Sequence, residues 1–336
     1  MKTLKIGLLA VGLCLLALLW GCEAGKAPMG ASSAAGGAQK TIRLASPFKA
    51  GHILVDASQK FKELLAKTSG GRLQVQVQPG VGSEEAINDW TSQGKVEMQA
   101  TGGRPLEVAA PQYFFFNAPY VMKDFEHFMR VWNGPLGDKA RAQVEAKGNQ
   151  KYLGIVYRGL RQTTANKPIY TPSDVYKLKL RLPTVKTWIA VWKEIGASPV
   201  PVPLPGLFKA LKSGQAEASE GDLTQISSFK LFKVQGYLII TNHLVQTGGI
   251  LINKAFFDGL SPEDQALIVA AAKQATEWAN DKIKKGESGL LVSLQRNGMK
   301  VVIPDADSLR VKARPAVEKL FKTEWPVTTW SEVLAQ

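Results

Sequence analysis

Residues 178–183 read Leu-Lys-Leu-Arg-Leu-Pro, an alternation of period two that marks a β-strand with leucines on one face and Lys179 and Arg181 on the other. Pro183 ends it, because proline cannot donate to a sheet ladder. Downstream the period becomes helical: Trp188, Val191, Trp192 and Ile195 form an apolar stripe closed by Gly196. Val200 and Val202 suit a strand, Leu207 to Leu211 a short helix ended by Gly214, and Ala216 and Ala218 another strand. Asp222, three residues before Gln225, has the form of a capping box that opens the next helix. Tyr237 to Thr241 reads as a further strand. Strand and helix alternating in this way predict an α/β fold.

The same alternation holds upstream. Residues 41–46 begin a strand, Leu54, Ala57, Phe61, Leu64 and Leu65 recur at helical spacing until Gly70-Gly71, and Leu73, Val75 and Val77 alternate at once afterwards. That order predicts a parallel pair with a helical crossover. Ser83 before Glu84 and Glu85 suits a helix start, since acidic side chains favour the positive end of the dipole. Val96, Met98 and Ala100 form another strand. The run Tyr113-Phe114-Phe115-Phe116 reads as a buried strand or lobe junction, with a stacking platform as the alternative.

Near the other end, Ser261-Pro262-Glu263-Asp264 combines an N-cap serine, a proline at the first helical position and acids in the first turn. A long helix should run from there to Lys285. Leu267, Ala271, Ala275, Trp278 and Ile283 fall on its buried face, and Lys282, Lys284 and Lys285 suit its negative end.

The first residues have the charged, apolar and small-residue order of a secretory signal, predicted over 1–21. Leu19-Trp20-Gly21-Cys22 has the form of a lipobox, in which Cys22 receives a lipid; the alternative is a cut near Ala24 or within Ala34 to Ala38. Residues 22–40 have almost nothing to bury and read as a tether. Cys14 lies inside the signal, which leaves one cysteine at most and excludes a disulfide framework or a cysteine metal site. Roughly 300 residues remain, more than one small core holds, so two lobes are expected.

Formal charge is +14. Export and the scatter of the basic residues argue against nucleic acid as a partner. His52, His127 and His243 sit in no metal-binding or nucleophile-activating spacing, and neither a P-loop nor a dinucleotide fingerprint occurs. No catalytic residue, metal or cofactor is expected.

From Arg158 the chain reads Arg-Gly-Leu-Arg-Gln-Thr-Thr-Ala-Asn-Lys-Pro-Ile, then Thr-Pro-Ser-Asp-Val, then the strand quoted first. Together with Gly196-Ala197-Ser198-Pro199, Thr241-Asn242-His243 and Leu260 to Gln265, it resembles the substrate-binding proteins of tripartite ATP-independent periplasmic (TRAP) transporters, the DctP type. The resemblance is weak before residue 110 and strong over 152–295.

It implies a two-lobed periplasmic-binding-protein fold of type II kind, with hinge crossings and a long C-terminal helix. Lobe I would comprise 41–157 plus 247–285, and lobe II 158–246 plus 286–336. In the resembling family the arginine matching Arg181 pairs with the ligand carboxylate, as a planar, always-charged guanidinium can. Arg161 would contact the ligand or support the hinge, and Asn166 closes its segment. Trp188 would stack on the ligand or serve the core.

Related sialic acid binders have an asparagine where this chain has Gly221, between Glu220 and Asp222, and an aromatic residue near Leu204. They also have an acid near Thr101 to Gly103, where this chain has none. These departures imply a roomier, less polar pocket for an aromatic or bulky apolar carboxylate. The implied partners are a small organic acid, a small and a large membrane subunit of the permease, and a membrane reached through the lipid anchor. A sensor module and an exported enzyme are the alternative functions.

Overall fold

Residues 39–336 are described by the structure, a computed structural model. The expected signal segment, the Cys22 lipidation site and nearly all of the expected tether lie outside the described residues. The chain begins with β1 (Lys40–Ser46), a helix over Ile53–Thr68 and β2 (Leu73–Pro79), which pairs parallel to β1 as predicted. β3 (Met98–Thr101) joins the other edge of β1. Ser83 caps the helix Glu84–Ser92 by accepting from the Ala86 N–H.

Two long antiparallel strands then organise the molecule. β4 (Gln150–Ala165) and β8 (Tyr237–Asn253) pair along most of their length, flanked by β5 (Lys179–Leu182), β6 (Ser198–Pro201), β7 (Ala218–Gly221) and β9 (Lys300–Val302). The order is β2-β1-β3-β8-β4-β7-β5-β6, with β9 on β8. β3 pairs with β8 only at 249–252, whereas β9 pairs with it only at 237–239 and β7 meets β4 only at 162–165. The two long strands therefore pass through two separate sheet regions, and the fold is two-lobed.

Register shifts between Tyr152 and Gly154, Tyr157 and Gly159, and Arg161 and Thr163 interrupt the shared ladder. Each shift leaves backbone groups unpaired and bends the strand. The helix Pro262–Arg296 supplies partners at one of them: Asn280 accepts from the Tyr157 N–H at 2.6 Å and donates to Ile155 O at 3.2 Å. Gly154 lets that helix approach, since a Cβ there would lie 2.7 Å from Thr276. Gly159, at φ +91°, takes a left-handed turn that side chains disfavour.

Several local expectations change. The long helix continues past Lys285, through Gly286 and Gly289, to Arg296. Lys282 and Lys284 accordingly pair with Asp56 and Glu126 instead of capping it. Trp278 is not part of the core, at 38% exposed. The aromatic run is not a strand: Pro111–Asn117 forms a 3-10 helix whose Phe115 and Phe116 are buried, with Phe116 edge-on to Phe128 and Trp132. The proline starts the turn, and bulky rings fixed to a short helix can pack on every side of it.

Candidate functional site

β5 presents Arg181 with only 1% of its surface exposed. Its Nε and Nη2 both donate to Val202 O, at 2.9 and 2.6 Å. No carboxylate pairs with it among the described residues. Burial is the main reason its pKa falls to about 10, and Arg161 adds to the fall while Glu220 opposes it. A buried guanidinium without an ion pair is costly unless an anion arrives.

The other arginines of this region are already neutralised. Arg158 donates through Nε and Nη2 to Asp222 at 3.0 and 2.7 Å and lies over the Phe48 ring. Arg161 is held by both oxygens of Glu220, donates to Gln246 Oε1 at 3.0 Å, and sits over the Trp188 ring at 4.8 Å. Burial alone would raise the Glu220 pKa; Arg161 and His243 reverse that and hold it at about 2. His243 lies 3.2 Å from Glu220 and is pushed down by its own burial. His52, stacked on Phe48 and 3.7 Å from Asp222, is pushed down to about 4, again chiefly by burial.

Arg158, Arg161 and Arg181 face a contracted cavity of about 40 Å³ between the two lobes, room for a few waters and no organic acid. Contacts cross it directly. Thr184 Oγ1 donates to Glu85 at 2.6 Å, and the Trp188 indole N–H donates to Asn117 O. A larger groove of about 560 Å³ runs between the helices Ala306–Thr323 and Trp330–Ala335. There Arg310 and Arg314 are already paired with Asp307 and Glu318. The smaller cavity is the one where unsatisfied charge converges.

Of the residues read from sequence, Arg181, Arg161, Trp188 and Leu204 line this cavity. Glu220, Gly221 and Asp222 do not. Glu220 and Asp222 lie behind it as counter-ions, and Asp222 also caps the helix Leu223–Ser228 by accepting from the Gln225 N–H. Asn166 is elsewhere: it donates to Val234 O at 3.0 Å, accepts from the Gly236 N–H at 2.9 Å, and so holds a turn.

At two of the positions read as lost side-chain volume, other side chains stand in. A Cβ on Gly221 would lie 2.6 Å from Gln225 Nε2, so the Gln225 amide fills the space that glycine leaves. A carboxylate does occupy the wall at Thr101 to Gly103, from a different element. Glu84 Oε1 accepts from the Gly102 N–H at 2.8 Å and Thr101 Oγ1 at 3.1 Å. Gly102 permits this, since its Cβ would meet Glu84 Oε1 at 2.7 Å and Arg158 Nη1 at 3.1 Å. Glu84, Glu85, Arg104, Glu107, Arg158, Gln225 and Gln246 all line the cavity and went unselected in the sequence. A paired-acid helix start at Glu84-Glu85 and the arginine opening the 158–169 motif were the available signals.

Comparison with known proteins agrees with this architecture. Residues 44–324 match the model of DctP, the bacterial extracellular solute-binding proteins of family 7. The chain belongs to that family and is a TRAP substrate-binding protein of the DctP type. The solute-binding protein RD1_1052 of Roseobacter denitrificans is 30% identical over 85% of this chain and 89% of its own length. The 2,3-diketo-L-gulonate-binding periplasmic protein YiaO of Escherichia coli is 29% identical over 73% and 76%. Among solved structures, the R. denitrificans TRAP protein with bound L-galactonate superimposes with a TM-score of 0.83 at 27% identity, covering 89% of this chain and all of that one. One from Polaromonas sp. JS666 bound to D-erythronate gives 0.82 at 26%, covering 88% and 99%. These relatives are binding proteins, not enzymes.

Proposed function

We propose that this protein captures a hydroxylated monocarboxylate, an aldonate or uronate, between its lobes and delivers it to a TRAP permease. The observation that carries the reading is Arg181, a buried cation in the cleft whose neighbours leave its charge uncompensated. One unpaired cation calls for one anionic group. The rest of the lining mixes apolar side chains, Phe48, Phe114, Trp188 and Leu204 among them, with polar ones, and Glu84 is a carboxylate acceptor suited to ligand hydroxyls. That favours a hydroxylated acid over the aromatic one expected from the sequence. The L-galactonate and D-erythronate in the two similar structures support the same class.

The lobes in this reading are 41–157 plus 247–285 and 158–246 plus 286–336. Their boundaries fall opposite each other, where Tyr157 pairs with Thr247 and Gly159 with Gln246 across a register shift. A bend there would open the cleft, and a ligand held by both lobes would shift the equilibrium toward closure. Closure would be the state that the small and large membrane subunits recognise. The test is a thermal-shift screen of residues 40–336 against aldonates, uronates, dicarboxylates and aromatic acids. A rise of several degrees with aldonates or uronates is expected. A rise confined to aromatic acids, or none with any carboxylate, overturns the reading.

The Leu19 to Cys22 motif motivates the further proposal that a signal over 1–21 is removed and Cys22 carries a lipid, which would keep the carrier beside the permease. Cys22→Ser is expected to move the protein from the membrane to the soluble fraction. Retention of that variant at the membrane would remove the anchor from the account.

A further inference from the structure

We propose that Arg104 is a second, distal anchor that donates to an uncharged oxygen of the ligand, a hydroxyl or keto group, and so sets chain length and selects against dicarboxylates. The proposal rests on the reading of the cleft as a hydroxy-acid site. Arg104 and Arg181 line the same cavity but come from opposite lobes, Arg104 just after β3 and Arg181 on β5. Arg104 uses Nη1 to donate to Glu107 Oε2 at 2.9 Å, while its Nε is buried without any partner. A buried N–H left unpaired in a site that closes on ligands is a donor awaiting an acceptor.

Charge decides which acceptor. Glu107 already neutralises Arg104, and Glu84 and Glu85 line the same cavity. A second carboxylate placed there would face three glutamates and a cation whose charge is spent. A neutral oxygen meets no such repulsion and satisfies the Nε–H. Arg181 has the opposite balance, because the acid that acts on it most, Glu220, is committed to Arg161, and Glu84 and Glu85 act on it less. The cleft is thus polarised, with an anion seat in one lobe and a neutral-oxygen seat in the other. A ligand reaching both would tie the lobes together.

The experiment is calorimetric titration of the wild type, Arg104→Lys and the double variant Arg104→Met/Glu107→Gln with glycolate, D-erythronate and L-galactonate, with succinate as a dicarboxylate. Lysine keeps the charge and loses the forked Nε donor; the double variant removes the ion pair as a unit, so that no charge is stranded. Both variants are expected to lose about 10- to 100-fold in affinity for whichever longer acid the wild type prefers, and to bind glycolate unchanged. The melting temperature without ligand serves as the check on folding. Equal losses for short and long acids, or no loss for either, overturn the assignment, as does wild-type succinate binding as tight as that of the preferred hydroxy acid. Failure of the wild type to bind any of the monocarboxylates instead defeats the functional reading itself, and the anchor with it.

Discussion

Arg181→Met is expected to abolish tight carboxylate binding while leaving the ligand-free fold nearly as stable as before. Removing one partner of a buried, hydrogen-bonded charge pair costs about 2–5 kcal/mol, which is roughly thirty-fold to a few thousand-fold in Kd. Few groups are so placed that binding and stability separate this cleanly. In the ligand-free chain Arg181 bears the desolvation of a full charge and the repulsion of Arg161, and burial has already lowered its pKa to about 10. Methionine relieves both. It also strips Val202 O of two donors, a cost of about 1–3 kcal/mol that offsets the relief. The net change in unfolding free energy should stay within about 1 kcal/mol. Titration calorimetry gives the first quantity and chemical denaturation the second. Retained affinity would remove Arg181 from the ligand, and a collapse of stability would make it a structural residue.

What makes Arg181 readable from sequence is the strand that carries it. Alternation in 178–183 is strict, a proline closes it, and the arginine faces opposite the leucines. β4 is the contrary case. Its sixteen residues hold two internal glycines and several polar side chains, and most are buried because sheet and helices cover both faces. Neither face is solvated, so the pattern has no period of two to detect. β8 fails for the same reason beyond Thr241: residues 243–253 are buried without interruption.

The cleft residues missed in the sequence share a physical cause. Glu84 and Arg104 stand at helix starts, where acids are explained by the dipole and arginines by solvent, yet the fold turns both into the cavity. Gln225 looked like half of a capping box. Its backbone N–H does receive the Asp222 cap, while its side chain instead fills the gap over Gly221. A glycine in sequence announces lost volume only if no neighbour moves in. At Gly102 a carboxylate from another helix does so, and at Gly221 an amide from the next turn. Glu220 and Asp222 carried the opposite error: acids beside a binding motif read as ligand contacts, and they are the counter-ions that silence Arg161 and Arg158.

Those counter-ions lead to the second large effect, Glu220→Gln. The substitution keeps the shape and one acceptor for Arg161 but removes the charge. Arg161 and Arg181 then remain as two buried cations without the carboxylate that acts most strongly on both, and His243 loses its acceptor. Breaking a buried pair on one side costs about 3–5 kcal/mol, on the order of 10 °C in melting temperature for a chain of this size. The pH profile identifies the source. Glu220 has a folded pKa of about 2 against an ordinary 4.5, so its contribution is complete above 4.5 and is lost as pH falls toward 2. The histidines act in a different window: His52 and His243 are held neutral by burial, and their share is complete above about 6.5 and disappears as pH falls through their lowered values. Glu220→Gln should therefore lower stability most at neutral pH, approach the wild type as pH falls toward 2, and keep the His52-linked slope below 6.5 while steepening that of His243, which loses the carboxylate that holds its pKa up. Melting curves across that range test all three features. A variant that runs parallel to the wild type down to the lowest pH would mean that Glu220 is not the ionised partner of Arg161. Arg161 would then be a second unpaired cation in the cleft, and the argument for a single carboxylate would fail with it.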